Sequence, residues 1–148
     1  MNPPSDPLVA AIRTTIRLAR LAQQVCDENG LTLPQYRGLS IVVADRRRAH
    51  EIASYTSTSR PAIASLTAGL ERMGLVERET AESDRRGVYY TATDKGRLLI
   101  AEIDATMAAK FTEVLGENTA LLHTLASEQI EAALDAQIAH DFGPEVTA

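Results

Sequence analysis

The chain has 148 residues, 45% of them hydrophobic, with 8 Gly and 6 Pro, which fits one folded domain and excludes a disordered or low-complexity protein. Trp is absent and aromatics are 4%, so the core is expected to be aliphatic; the single Cys26 excludes an internal disulfide. The net charge is -5, no apolar run reaches the length of a membrane span, and Met1-Asn2-Pro3-Pro4-Ser5-Asp6 has neither part of a signal peptide, so the expectation is a cytoplasmic protein with no membrane partner.

In residues 7–28, Leu8, Ile12, Ile16, Ala19 and Cys26 recur at helical spacing, with Leu18, Leu21, Ala22 and Val25 widening the stripe. Such a helix is expected to have more than one neighbour, and Gly30 to end it. Arg13, Arg17 and Arg20 form a second stripe, which is either a solvated or ion-paired face or the wall of an anion-binding crevice. Thr32 and Pro34 open a second helix carrying Tyr36, Leu39, Ile41, Val42 and Val43. Arg46-Arg47-Arg48 then reads as a basic loop, and its place ahead of the next two helices favours contact with phosphates over solubility alone. A short helix over 49–55 turns Ile52 inward, and Thr56-Ser57-Thr58 is the turn after it.

Residues 59–96 organise the rest. Ser59 is placed as an N-cap, and Pro61 costs nothing in the first turn because the early amides lack intrahelical partners. Ile63, Leu66 and Leu70 recur at three and four, predicting a buried stripe, while Arg60, Ala62, Ser65 and Gly69 fall elsewhere and leave an outer face of small and polar groups. Gly74 stops the helix. Two strands, 76–80 and 88–92, flank turn chemistry in Glu82-Ser83-Asp84-Arg85-Arg86-Gly87. A helix offered amino end first, followed by an arginine-tipped hairpin, is a winged helix-turn-helix pattern, suited to entering a DNA major groove.

Asp94 then sits in the first turn of a long helix with a stripe of Leu99, Ile103, Met107, Phe111 and Leu115, interrupted at Gly116-Glu117-Asn118. A last helical region carries Leu121, Leu122, Leu125, Ile130, Leu134, Ile138 and Phe142, recapped near Ser127 and stopped by Gly143-Pro144. The predicted fold class is mainly α with a small β-hairpin wing. Residues 34–97 are the winged helix-turn-helix domain, and 1–33 with 98–148 a helical dimerisation region. The terminal helices are more apolar than one winged helix can cover, so a homodimer is expected. Charge follows the same division. Residues 34–97 hold eleven Lys and Arg against eight Asp and Glu, an excess of +3, and the remainder four against twelve, or -8, which together give the -5. Acidic flanks more than a Debye length of roughly 8 to 10 Å away leave the basic middle largely free to meet a polyanion.

The runs Leu70-Glu71-Arg72-Met73-Gly74-Leu75-Val76-Glu77-Arg78, Asp84-Arg85-Arg86 and Thr93-Asp94-Lys95-Gly96-Arg97, with Thr32-Leu33-Pro34-Gln35-Tyr36-Arg37, resemble the MarR family of bacterial transcription regulators. The sequence departs from the family at Ala92, where Leu is usual, and in the turn at Thr56 to Thr58, which lacks the common Gly. The resemblance implies a dimer built from terminal helices, repression as the commoner outcome, Arg86 as a DNA contact and Asp84 as the brace of the wing turn. It also implies a small, often aromatic and acidic effector between the dimerisation helices and the winged domain, with Arg13, Arg17, Tyr36 and Arg37 as candidate lining.

The expected DNA-facing set is Arg46, Arg47, Arg48, Ser57, Ser59, Arg60, Pro61, Ala62, Ser65, Arg85 and Arg86, with Arg60 placed to pair with guanine and an arginine of the wing tip to enter the minor groove. No enzyme, cofactor or metal site is expected, because His50, His123 and His140 lie far apart and there is no glycine-rich phosphate loop. Two alternatives to a ligand-responsive DNA-binding repressor remain at this point. One is a redox-sensing regulator acting through Cys26; the other is a winged helix used for protein contact, which would show no salt-dependent DNA affinity.

Overall fold

A computed structural model describes residues 6–80 and 87–142. Helices α1 (Pro7–Glu28), α2 (Leu33–Ala44), α3 (Ala49–Thr56), α4 (Arg60–Arg72) and α5 (Asp94–Leu115) are followed by a 3-10 turn, Gly116–Thr119, and by α6 (Ala120–Leu125) and α7 (Glu128–Phe142). Strands β1 (Arg47–Arg48), β2 (Val76–Thr80) and β3 (Val88–Ala92) form one antiparallel sheet in the order β1-β3-β2. The architecture is a mostly helical winged helix-turn-helix.

Local chemistry sets most of these boundaries. The Asp6 carboxylate accepts from the Leu8 amide at the start of α1. Thr32 and Gln35 cap α2 reciprocally, the Thr32 hydroxyl accepting from the Gln35 amide and the Gln35 carbonyl oxygen from the Thr32 amide. The Thr93 hydroxyl accepts from the Gly96 amide and donates to the Gly74 carbonyl at 2.7 Å, so one side chain both starts α5 and ties it to the end of α4. Gly96 is required there, since a Cβ at that position would stand 2.2 Å from the Leu75 carbonyl oxygen. The break after Leu115 and the restart after Ser127, whose hydroxyl meets the Ile130 amide, match the expected interruption and recapping.

Three expectations need correction. Arg46-Arg47-Arg48 is not simply a loop: Arg47 pairs with Tyr90 and Arg48 with Tyr89, adding a third strand to the sheet. Two residues are too few to display a period of two, so the strand has no sequence signature. Ser59 holds the N-cap position of α4 with extended backbone, but its hydroxyl makes no capping hydrogen bond. Gly69 is buried, not part of the outer face, because Gln35 of α2 lies against it.

Among the described residues, every buried hydrophobic side chain of the core lies between Val25 and Ile103. Leu31, Leu39, Ile52, Leu70, Leu75 and Ile103 are its largest fully buried side chains, joined by Ile63, Leu66, Val76, Tyr90 and Ile100. Leu8, Ile12 and Ile16 on α1 are instead 66%, 51% and 64% exposed, and Leu98, Val114, Leu121, Leu125 and Leu134 are exposed on the later helices.

Candidate nucleic-acid interface

The turn between α3 and α4 decides how α4 is presented. Ser57 adopts φ 54, ψ 48, a left-handed conformation that costs a side-chain-bearing residue about 1 to 2 kcal/mol. It is stabilised by the Thr58 amide donating to the Ala53 carbonyl (2.9 Å) and the Ser57 amide to the Ser54 carbonyl (3.1 Å). These are the paired hydrogen bonds of a Schellman turn, usually built on glycine. From there α4 starts at Arg60. Its Ile63, Leu66, Thr67 and Leu70 are buried, and Ser59, Arg60, Pro61, Ala62 and Ser65 are exposed.

The exposed amino end of α4 borders an open groove of about 470 Å³ lined by Ser57, Thr58, Ser59, Ala62, Ser65 and Leu66, together with Thr32, the N-cap of α2, and Pro34 and Gln35 in its first turn. Its rim is hydroxyl-rich and carries no carboxylate. Small side chains there let another backbone approach α4 closely, and hydroxyls can donate to or accept from whatever arrives.

The three consecutive arginines divide between two surroundings. Arg46 lies over the Tyr89 ring at 4.5 Å, and Arg48 over the same ring at 4.8 Å while donating to the Tyr89 hydroxyl at 2.7 Å. Arg47 points the other way, to the carboxylates of Asp45 (3.7 Å) and Glu51 (4.0 Å). Two guanidiniums are thus gathered on one ring beside the wing strands, and the third faces two carboxylates. Tyr89 was legible only as a strand residue, because a cross-strand partner cannot be assigned from spacing alone. Asp84, Arg85 and Arg86 lie outside the described residues.

Arg13 and Arg17 lie on the exposed amino-terminal half of α1. Tyr36 and Arg37 are half-buried in α2 and already engaged. The Tyr36 hydroxyl donates to Asp104 of α5 at 2.6 Å, and burial together with that bond raises its pKa well above the ordinary tyrosine value. Arg37 donates to the Tyr55 carbonyl (2.6 Å) and the Thr56 carbonyl (3.3 Å). A ligand drawing on either residue has to displace those partners. Nothing in the sequence pattern marked Asp104, 68 positions from Tyr36, as a member of this cluster.

Cys26 is fully buried, and desolvation, then the charges of Asp27 and Asp104, push its thiol pKa up. That is the opposite of the lowered pKa that makes a thiol reactive. Among the described residues no group of three or more His, Cys, Asp or Glu could hold a metal ion, and no helix is long and apolar enough to cross a membrane.

A sequence profile of the MarR family matches residues 29–87. Among solved structures, the transcriptional repressor CouR bound to a 23-mer DNA duplex is 31% identical, with 79% of this chain and 87% of that chain covered and a TM-score of 0.65. NadR in complex with 4-hydroxyphenylacetate shares the fold at 22% identity, covering 91% and 96% of the two chains with a TM-score of 0.67. CouR from Rhodococcus jostii RHA1 bound to p-coumaroyl-CoA does so at 18% identity, covering 95% and 94% with a TM-score of 0.62.

Proposed function

The chain belongs to the MarR family of transcription regulators, and from that membership we propose that it represses transcription as a homodimer bound to an inverted-repeat operator. The observation that carries this reading is the presentation of α4: a buried aliphatic stripe fixes the helix, and small and hydroxyl-bearing side chains occupy its exposed amino end. Two such helices related by a two-fold axis and roughly 34 to 36 Å apart enter successive major grooves on one side of the duplex. In this reading Arg60 at the first turn pairs with guanine and Ser65 with a base edge or phosphate, a good bidentate base contact contributing about 1 to 3 kcal/mol of discrimination.

Phosphate contacts come from Arg46 and Arg48, held together on Tyr89, and from the wing. Arg47 contributes less, because Asp45 and Glu51 already oppose its charge. Arg86 enters the minor groove, with Asp84 bracing the turn beside Arg85. A phenolic or otherwise aromatic acid is the effector class we propose, in keeping with the 4-hydroxyphenylacetate complex of NadR and the p-coumaroyl-CoA complex of CouR. It binds between the terminal helices and the winged domain, where Arg13 and Arg17 supply the cationic wall. It releases DNA to the extent that it prefers one spacing of the recognition helices, a coupling of about 1 to 3 kcal/mol.

The test is to capture genomic fragments with the purified protein and titrate the enriched duplex, in salt series, against a random one. A selected duplex with an inverted repeat, bound at least a hundredfold more tightly, is the expected result; equal competition by the random duplex overturns the reading. Arg86→Ala should weaken both duplexes alike and flatten the salt dependence by about one unit of slope. Adding phenolic acids to the selected complex then decides the effector class.

A further inference from the structure

The last four carbonyls of a helix have no partners within it. In α3 these belong to Ala53, Ser54, Tyr55 and Thr56. The turn itself provides for the first two, through the amides of Thr58 and Ser57. The second two receive the guanidinium of Arg37, which reaches across from α2 with one nitrogen on Tyr55 and the other on Thr56 and lies 5.6 Å from the centre of the Tyr55 ring. The Thr58 hydroxyl also donates to the Thr56 carbonyl, at 3.2 Å. Every orphan carbonyl at the end of α3 is therefore met, half of them by a single side chain from another helix.

That completeness matters because the turn is conformationally costly. Ser57 occupies the left-handed region where glycine is the usual residue. Without Arg37, the Tyr55 carbonyl would lose its donor and the Thr56 carbonyl would keep only the Thr58 hydroxyl, leaving the two amide hydrogen bonds of the turn to offset the cost of its serine. The exposed face of α4 begins two residues later, at Ser59, so any loosening of 55–58 changes the angle at which that face is offered. A forked, planar donor suits this task and an ammonium does not, since a lysine cannot span two carbonyls in a fixed geometry.

We propose that Arg37 is a positioning residue for DNA recognition: it clamps the end of α3 and thereby holds the recognition helix at its reading angle, and it acts neither as a phosphate contact nor as an effector ligand. The inference rests on the DNA-binding reading above, and it reassigns a residue that the family resemblance offered as a candidate lining of the effector pocket.

The experiment compares wild type, Arg37→Met, Arg37→Lys, Ser57→Gly and the double variant Arg37→Met/Ser57→Gly. Affinity for selected and random duplexes is measured at several salt concentrations, together with hydrogen exchange of the Ser57 and Thr58 amides in the absence of DNA. Arg37→Met is expected to lose about tenfold in affinity for the selected duplex, to bind the random duplex unchanged with the same salt slope, and to exchange both amides faster. Arg37→Lys should behave like Arg37→Met. Ser57→Gly should exchange no faster than wild type and, combined with Arg37→Met, should return the exchange of the residue 57 and 58 amides most of the way to the wild-type rate, because glycine holds the left-handed turn without help. Equal loss on both duplexes with a shallower slope would make Arg37 a phosphate contact and overturn the proposal. Unchanged exchange in Arg37→Met, or full affinity in Arg37→Lys, would overturn it too. So would unaltered DNA binding with a lost response to phenolic acids. Should Arg37→Met not fold, faster exchange in Ser57→Gly alone would suffice to reject the clamp. The exchange measurement needs no DNA, so a chain that binds no operator would sink the regulator reading while leaving the clamp to be judged on its own.

Discussion

The segment from Val25 to Ile103 and the helices outside it are built from the same aliphatic residues, but only the first finishes its core within one chain. Leu39, Ile52, Leu70 and Ile103 are almost wholly removed from water, whereas Leu8, Ile12 and Ile16, at equally regular spacing, stay more than half exposed. The difference teaches that helical periodicity specifies a face to be covered without saying what covers it. In the winged domain the cover is another part of the same chain; for the terminal helices the proposed homodimer supplies it. Exposed leucine and isoleucine side chains recurring along one helix are what a partner surface is expected to cover.

The sharpest way to break this contrast is to charge the uncovered face. Ile12→Asp combined with Ile16→Asp should leave the winged domain folded by circular dichroism, convert a dimer to a monomer by light scattering, and lower operator affinity by about 10² to 10⁴, the usual advantage of two linked sites over one. A variant that stays dimeric would show that the interface lies elsewhere. Next in size is Gly96→Ala, which forces a Cβ against the Leu75 carbonyl at the centre of the completed core and should cost about 3 kcal/mol in urea unfolding at fixed protomer concentration. Gly30→Ala, with open space around it but φ +77, should cost only about 1 kcal/mol, so the pair separates crowding from backbone strain.

A smaller effect is expected from pH. Tyr36 and Cys26 both have raised folded-state pKa values, so the stability they contribute is fully present below their ordinary values of 10.0 and 9.0 and is lost as pH rises through the folded values. The urea midpoint should hold from pH 7 to 9 and decline above, with a shallower decline in Tyr36→Phe. Glu28 runs the other way. Hydrogen bonds from Lys110 and Gln24 lower its pKa below the ordinary 4.5, so its contribution is present above that value and disappears as pH falls through the folded one. Glu28→Gln should remove a slight acid-side slope, the smallest change in the series, since the pair is at the surface.

Much of the framework of the candidate interface was legible in the sequence. The stripe of Ile63, Leu66 and Leu70 placed α4, and the strands at 76–80 and 88–92 were visible from their composition and the turn between them. Gly69 was misplaced because a glycine carries no hydropathy to report that Gln35 lies against it. The strand at Arg47 and Arg48 was hidden because two charged residues read as part of a basic loop until Tyr89 and Tyr90 are brought beside them.

By itself, then, the sequence determined the order of helices, the winged helix-turn-helix pattern and the small, polar character of the exposed α4 end, because caps, breakers and hydrophobic spacing act within a few residues. Only the tertiary structure decided which arginines stack on Tyr89, which one faces Asp45 and Glu51, and that Arg37 closes the end of α3. Those assignments depend on directions in space between residues distant in the chain, and no local periodicity carries that information.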